Sequence, residues 1–124
     1  MKRLRDAGVS IRTRRDTPAV EASEIALQRA MMLTRKINTW ESRWPLNTFA
    51  DRDASKLSKT MRDRLLEAEA MTLEQYREYI CERDKVREIY ARLANEADAV
   101  VTLSAPAEAP VGIASTGNPV YVVA

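Results

Sequence analysis

Apolar residues recur at helical spacing through the middle of the chain and at strand spacing near its ends. From Pro18 onward Ala26, Ala30, Leu33, Ile37, Trp40 and Trp44 follow one another at intervals of four and three. This is one apolar stripe on a long helix that Pro45 closes. Residues 46–53 read as a connector, and Asp53 is placed to cap a further helix in which Leu57, Met61, Leu65 and Ala68 share a face. After a break near Met71, Thr72 and Gln75 have the three-residue spacing of a capping box. In the helix that follows, Tyr76, Arg83 and Tyr90 form one row at intervals of seven, and Tyr79, Val86 and Leu93 form a second. Both rows are expected to face a core.

The ends read differently. Met1 to Ala7 looks like the end of a helix, with Gly8 as its left-handed stop. Val9, Ile11 and Thr13 then alternate with Ser10, Arg12 and Arg14, the pattern of a short half-buried strand. Ala99 to Ala105 is apolar on both alternating faces, as in an interior strand covered on both sides. Pro106, Pro110 and Pro119, with Gly112 and Gly117, punctuate a loop, and Val120 to Ala124 offers a third short strand. The expectation is an α/β fold, mostly helical, with three long helices and two or three short strands. Its parts are a basic helix end and strand (1–18), a helical region (19–96) and a strand with a Pro/Gly-rich loop (97–124). Such a sheet is too small to cover a strand on both faces. Either another chain supplies the remaining sheet, or the sequence belongs to a larger domain.

Composition narrows the chemistry. The 124 residues contain no histidine, which excludes a Ser-His-Asp triad, a Cys-His pair and an imidazole metal site. Cys81 is the single cysteine, so neither an intrachain disulfide nor a thiolate cluster can form. Gly8, Gly112 and Gly117 are the only glycines, too few for a phosphate-cradling loop or a dinucleotide fingerprint. No metal and no cofactor is implied. Charge is uneven: Lys2, Arg3, Arg5, Arg12, Arg14 and Arg15 stand against Asp6 alone in the first fifteen residues, and Glu108 is the one charged residue after Asp98. No apolar run approaches the ~20 residues of a membrane span. No signal region is apparent, so a soluble, cytoplasmic protein is expected.

Residues 98–119, Asp-Ala-Val-Val-Thr-Leu-Ser-Ala-Pro-Ala-Glu-Ala-Pro-Val-Gly-Ile-Ala-Ser-Thr-Gly-Asn-Pro, resemble a late segment of the amidase signature enzymes. Trp40-Glu-Ser-Arg-Trp44, Leu57-Ser58 with Leu65, Thr72 with Tyr76, and Arg83 with Arg87 resemble the stretch before it, as does Gly8 followed by Val9 to Thr13. The resemblance implies a share of an α/β/α sandwich around a large mixed sheet. It also implies amide hydrolysis by a serine nucleophile, a bridging serine and a lysine. That catalytic set lies in a Gly/Ser-rich signature absent from this sequence. Lys2, Lys36, Lys56, Lys59 and Lys85 stand in contexts unlike the family's lysine. No catalytic residue carries over. By analogy Ser115, Thr116 and Asn118 would line a substrate pocket.

The implied function is a fragment or subunit of an amidase-family hydrolase, inactive alone, whose partner is a second polypeptide carrying the catalytic half, or which self-associates. The alternative is a helical interaction module that packs with a partner chain. Non-specific nucleic-acid binding through residues 1–15 ranks last, because no aromatic is interleaved with the basic cluster. Ser104, Ser115 and Thr116 have no base within evident reach. Trp40, Trp44, Tyr76, Tyr79 and Tyr90 fall on helical stripes and are expected to pack in the core. Arg83, on a core-facing row, is expected to pair with an acid or to cap a carbonyl, and Cys81 to be buried or half-buried. Asp51, Asp53, Asp63, Glu67 and Glu69 repeat no metal-loop spacing.

Overall fold

The structure, a computed structural model, describes residues 2–103, 108 and 110–112. Its helices are α1 (Lys2–Asp6), α2 (Pro18–Leu27), α3 (Ala30–Glu41), α4 (Arg43–Asp53), α5 (Lys59–Ala70) and α6 (Leu73–Ala91). Single 3-10 turns occupy Ala54–Lys56 and Arg92–Asn95. The chain divides into two compact units, one made of Met1–Gln28 with Lys85–Ala124 and the other of Arg29–Asp84. Helix α6 passes from one into the other.

In the unit Arg29–Asp84, helices α3, α4 and α5 pack together. Ala30, Leu33 and Ile37 of α3 meet a core that also holds Leu46 of α4, Leu65 and Ala68 of α5, and Met71. Leu33 retains 2% of its exposure. Burying a leucine or isoleucine side chain contributes about 1.5–3 kcal/mol, so this cluster dominates the unit's stability.

Each helix boundary has a local cause. The stripe predicted as one helix is broken twice, at Gln28–Arg29 and at Ser42. Ser42 Oγ donates to the Asn38 carbonyl at 2.6 Å, occupying an acceptor at the end of α3. Pro45 does not close a helix. It is the third residue of α4, whose first helical bond is Leu46 N–H to the Ser42 carbonyl at 3.1 Å. A proline there forfeits no bond, because the first N–H groups of a helix have no partner inside it. Residues 46–53 are accordingly helix rather than connector. Asp53 caps the 3-10 turn, accepting from Ser55 N–H at 3.1 Å, and Ser58 caps α5, accepting from Met61 N–H at 3.3 Å.

The capping box of α6 is formed in full. Thr72 N–H donates to Gln75 Oε1 at 2.9 Å, and Gln75 N–H donates to Thr72 Oγ1 at 3.2 Å. None of the nineteen residues of α6 is buried, however: the row Tyr76, Arg83, Tyr90 is half-covered and ends on the exposed Tyr90, and the row Tyr79, Val86 is half-covered and ends on the buried Leu93.

In the other unit, α2 packs against the 3-10 turn Arg92–Asn95. Thr17 holds extended backbone and accepts from Ala19 N–H at 3.2 Å, with Pro18 as first helical residue. Gly8 stops α1 at φ +80°. Among the described apolar side chains of this unit, Leu93 alone is buried, beside Thr17 and Ser23.

The expected α/β fold is not formed: the described residues contain helices and turns and no strand. Residues 9–13 are an irregular arm, since Thr13 N–H, a donor that a ladder would need, instead donates to Asp16 Oδ2 at 2.6 Å. Residues 99–103 are irregular and exposed, and make no backbone hydrogen bond to another segment among the described residues. A strand exists only in a ladder. The partial α/β/α sandwich is therefore absent from the described residues, and the candidate strand 120–124 lies outside them together with 104–105.

Candidate interaction surface

The titratable groups are held in structural roles. Glu67 joins α5 to α3, accepting from Lys36 Nζ at 2.7 Å and from the Arg35 guanidinium at 3.1 Å. The hydrogen bond from Lys36, seconded by Arg35, holds its carboxyl below the ordinary range. Bonds from the Thr13 hydroxyl and backbone lower Asp16, and bonds from Ser55 lower Asp53. A carboxylate so stabilised in its charged form is a poor general acid. Among the described residues no three acidic or cysteine side chains gather as a metal site. Asp53 caps, Asp63 pairs with Lys59, and Glu67 clamps.

Of the five aromatics predicted to share a core, two meet. Trp40 and Tyr76 stack with ring centroids 5.2 Å apart and planes 15° from parallel. The Arg43 guanidinium lies 5.6 Å from the Trp40 ring, and Tyr76 Oη donates to Glu41 Oε1 at 3.0 Å. Partial burial, with the Glu41 charge, raises the Tyr76 phenol above its ordinary value. This cluster ties the end of α3 to the start of α6 and leaves no group free for chemistry. Tyr79 is half-buried and Tyr90 exposed. Trp44 is 80% exposed. The break at Ser42 takes it off the stripe of α3, and on α4 the residue facing inward is Leu46. Of the two roles expected for Arg83, the structure shows an ion pair, with its sequence neighbour Asp84 at 2.9 Å. Cys81 is exposed, contrary to expectation.

The carried-over pocket residues Ser115, Thr116 and Asn118, and the alternative nucleophile Ser104, lie outside the described residues. The six cations of the first fifteen residues are exposed. Arg12 pairs with Glu96 at 2.6 Å, and Arg14 with Glu21 at 3.0 Å and Glu24 at 3.7 Å, which spends part of the basic charge internally.

What the surface does present is apolar. Trp44, Phe49 and Leu66 are exposed on α4 and α5. In the other unit Leu4, Val9, Ile25, Tyr90, Val100, Val101 and Leu103 are exposed, and among its described apolar side chains Leu93 alone is buried. Val101 and Leu103 retain 74% and 63% of their exposure. Periodicity in the sequence located the helices that carry some of these side chains. It gave no sign of which positions would be left uncovered, since that depends on where each helix breaks.

The class these features define is a helical protein with exposed apolar surface and no catalytic constellation among the described residues. No protein-family model, no curated protein and no solved structure matches the chain. Among the described residues, no helix is long and apolar enough to cross a membrane.

Proposed function

We propose that the chain is a non-catalytic part of an amidase-type amide hydrolase, active only when packed against another stretch of polypeptide that carries the serine, bridging serine and lysine. The observation that carries this reading is the scant core of the unit formed by Met1–Gln28 and Lys85–Ala124. Among its described apolar side chains one is buried, while the uncharged run Ala99–Leu103 stands in solvent. A unit that buries so little gains little against the conformational entropy of ordering it, and a covering surface would supply the missing burial. The amide chemistry comes from the resemblance of residues 98–119 and of the segments before it. Cytoplasmic placement belongs to the same proposal.

A helical interaction module unconnected with amide cleavage is the second reading. It is favoured by the unit Arg29–Asp84, whose capped helices enclose a core of their own.

Release of 4-nitroaniline from 4-nitroacetanilide, and of ammonia from benzamide, tests the pair. The pure chain is expected to cleave neither. Polypeptides from the source cells that bind it are expected to include one that cleaves amides and is inactivated by phenylmethylsulfonyl fluoride. Turnover by the pure chain would overturn the first reading. Binding partners devoid of amide cleavage would favour the second.

A further inference from the structure

We propose that the basic arm formed by residues 2–15 is a docking surface for an acidic stretch of another polypeptide, whose carboxylates its exposed arginines pair with. The inference goes beyond the function proposed above and does not depend on amide chemistry. The arm is ordered by bonds of its own. Helix α1 closes with Gly8 N–H donating to the Arg5 carbonyl at 2.9 Å and Val9 N–H to the Leu4 carbonyl at 3.0 Å, around Gly8 at φ +80°. The turn that follows is tied by Asp16, which accepts from Thr13 N–H at 2.6 Å and from the Thr13 hydroxyl at 2.7 Å. Those bonds first, and the nearby charges of Arg5 and Arg15 after them, hold the Asp16 carboxyl below its ordinary value. Arg5 and Arg15, distant in sequence, thus lie within charge range of one carboxylate. Both are exposed, as are Lys2 and Arg3.

The arm's own contacts point to the chemistry of the occupant. Five of its six cations are arginines, whose planar fork matches a carboxylate. Two of them already hold carboxylates inside this unit, Arg12 that of Glu96 at 2.6 Å and Arg14 those of Glu21 at 3.0 Å and Glu24 at 3.7 Å. Arg3, Arg5 and Arg15 offer the same group outward. A dense polyanion is the poorer occupant. Asp6, Asp16, Glu21, Glu24 and Glu96 stand among the cations, so the field of the arm is weak at a distance while each fork still pairs at close range. No aromatic lies in the first fifteen residues to stack on a base. A bilayer suits the arm no better. Leu4 and Val9 keep 39% and 48% of their exposure, a small apolar area, and the five residues of α1 are too few for an interfacial anchor.

The test titrates fluorescently labelled poly-L-glutamate with the full chain at low salt and again at about 0.15 M salt, read by anisotropy. The wild type is compared with the triple variant Arg3→Gln, Arg5→Gln, Arg15→Gln. A second triple variant, with lysine at the same three positions, keeps the charge and loses the fork. A control, Arg77→Gln, Lys85→Gln, Arg92→Gln, removes equal charge from α6 and the turn after it. All the substituted side chains are exposed, so circular dichroism of the four proteins should coincide. We expect the glutamine variant of the arm to bind about tenfold or more weakly, the lysine variant about threefold more weakly, and the control within about twofold of wild type. Equal weakening by the control assigns binding to net charge and overturns the proposal. Full binding by the lysine variant overturns the arginine pairing. Tighter binding to duplex DNA of matched charge, or to phosphatidylserine vesicles, overturns the acidic polypeptide as occupant. A wild-type dimer in sedimentation that the glutamine variant dissociates assigns the arm to a second copy and overturns it too, as does no binding to poly-L-glutamate. None of these readouts involves amide cleavage, so this inference and the proposed function fail separately.

Discussion

Replacing Leu33 with alanine removes the best-covered large side chain of the unit Arg29–Asp84. Its neighbours on α3, Ala30 and Ile37, and the facing Leu65 and Ala68 of α5 are held on helices that pack against each other. They can close only part of the space left behind. Leucine-to-alanine changes at such sites cost about 2–5 kcal/mol, and a small unit with exposed flanks can relax, so about 3 kcal/mol is expected. A unit of about 55 residues has a total stability of only about 3–8 kcal/mol. The loss is therefore a large fraction of the whole. With a urea slope of about 1 kcal/mol/M, the midpoint should fall by about 3 M, far enough that the variant is partly unfolded without denaturant. Far-ultraviolet circular dichroism follows the helices, and fluorescence of Trp40, stacked on Tyr76, follows the packing. Coincident curves would license the two-state treatment. A midpoint within about 0.5 M of wild type would refute the assignment of the core to the α3–α5 contact.

Three further outcomes follow from named contacts. Thr72→Ala deletes one arm of the α6 capping box and should cost about 1 kcal/mol, read as a lower urea midpoint with the helix otherwise retained. Glu67 is more acidic folded than unfolded, so its contribution is fully present above the ordinary glutamate value of about 4.3 and is lost as pH falls through the lower folded value. The Arg35 side of the clamp is exposed and screened, so the effect should be about 1 kcal/mol or less, and Glu67→Gln should flatten the acid limb of stability against pH. Trp44→Ala should change stability by less than about 0.5 kcal/mol, because the ring is exposed, and should remove the emission component that iodide quenches most readily.

Much of the helical organisation was legible because its signals are local. Thr72 and Gln75 satisfy one another's orphan donors whatever surrounds them, Gly8 accepts a left-handed backbone, and Pro18 suits the first turn of a helix. The stripe Ala30, Leu33, Ile37 was legible because burial follows the helical repeat. The breaks at Gln28–Arg29 and Ser42 were not, since neither carries a glycine, and Pro45 points to a helix end as readily as to a first turn. That ambiguity misplaced Trp44. The strands failed for a different reason. Alternation at 9–13 and apolarity at 99–103 describe what a strand would bury, whereas a strand forms only beside another, and none is at hand among the described residues. The site residues inferred by resemblance, Ser115, Thr116 and Asn118, lie outside the described residues. The Glu67 clamp left no pattern in the sequence, because Lys36 and Glu67 are brought together only by helix packing.

Amide hydrogen exchange, read by mass spectrometry on the chain alone and on the chain bound to the amide-cleaving polypeptide proposed above, tests the central claim most directly. For the isolated chain, Val100–Leu103 should exchange at the rate of an unstructured peptide while the amides of α3 and α5 are protected. In the complex, exchange at Val100–Leu103 should slow, because the covering polypeptide takes the segment out of solvent. Protection of Val100–Leu103 in the isolated chain, or free exchange there in the complex, would contradict the claim that this segment waits for another polypeptide.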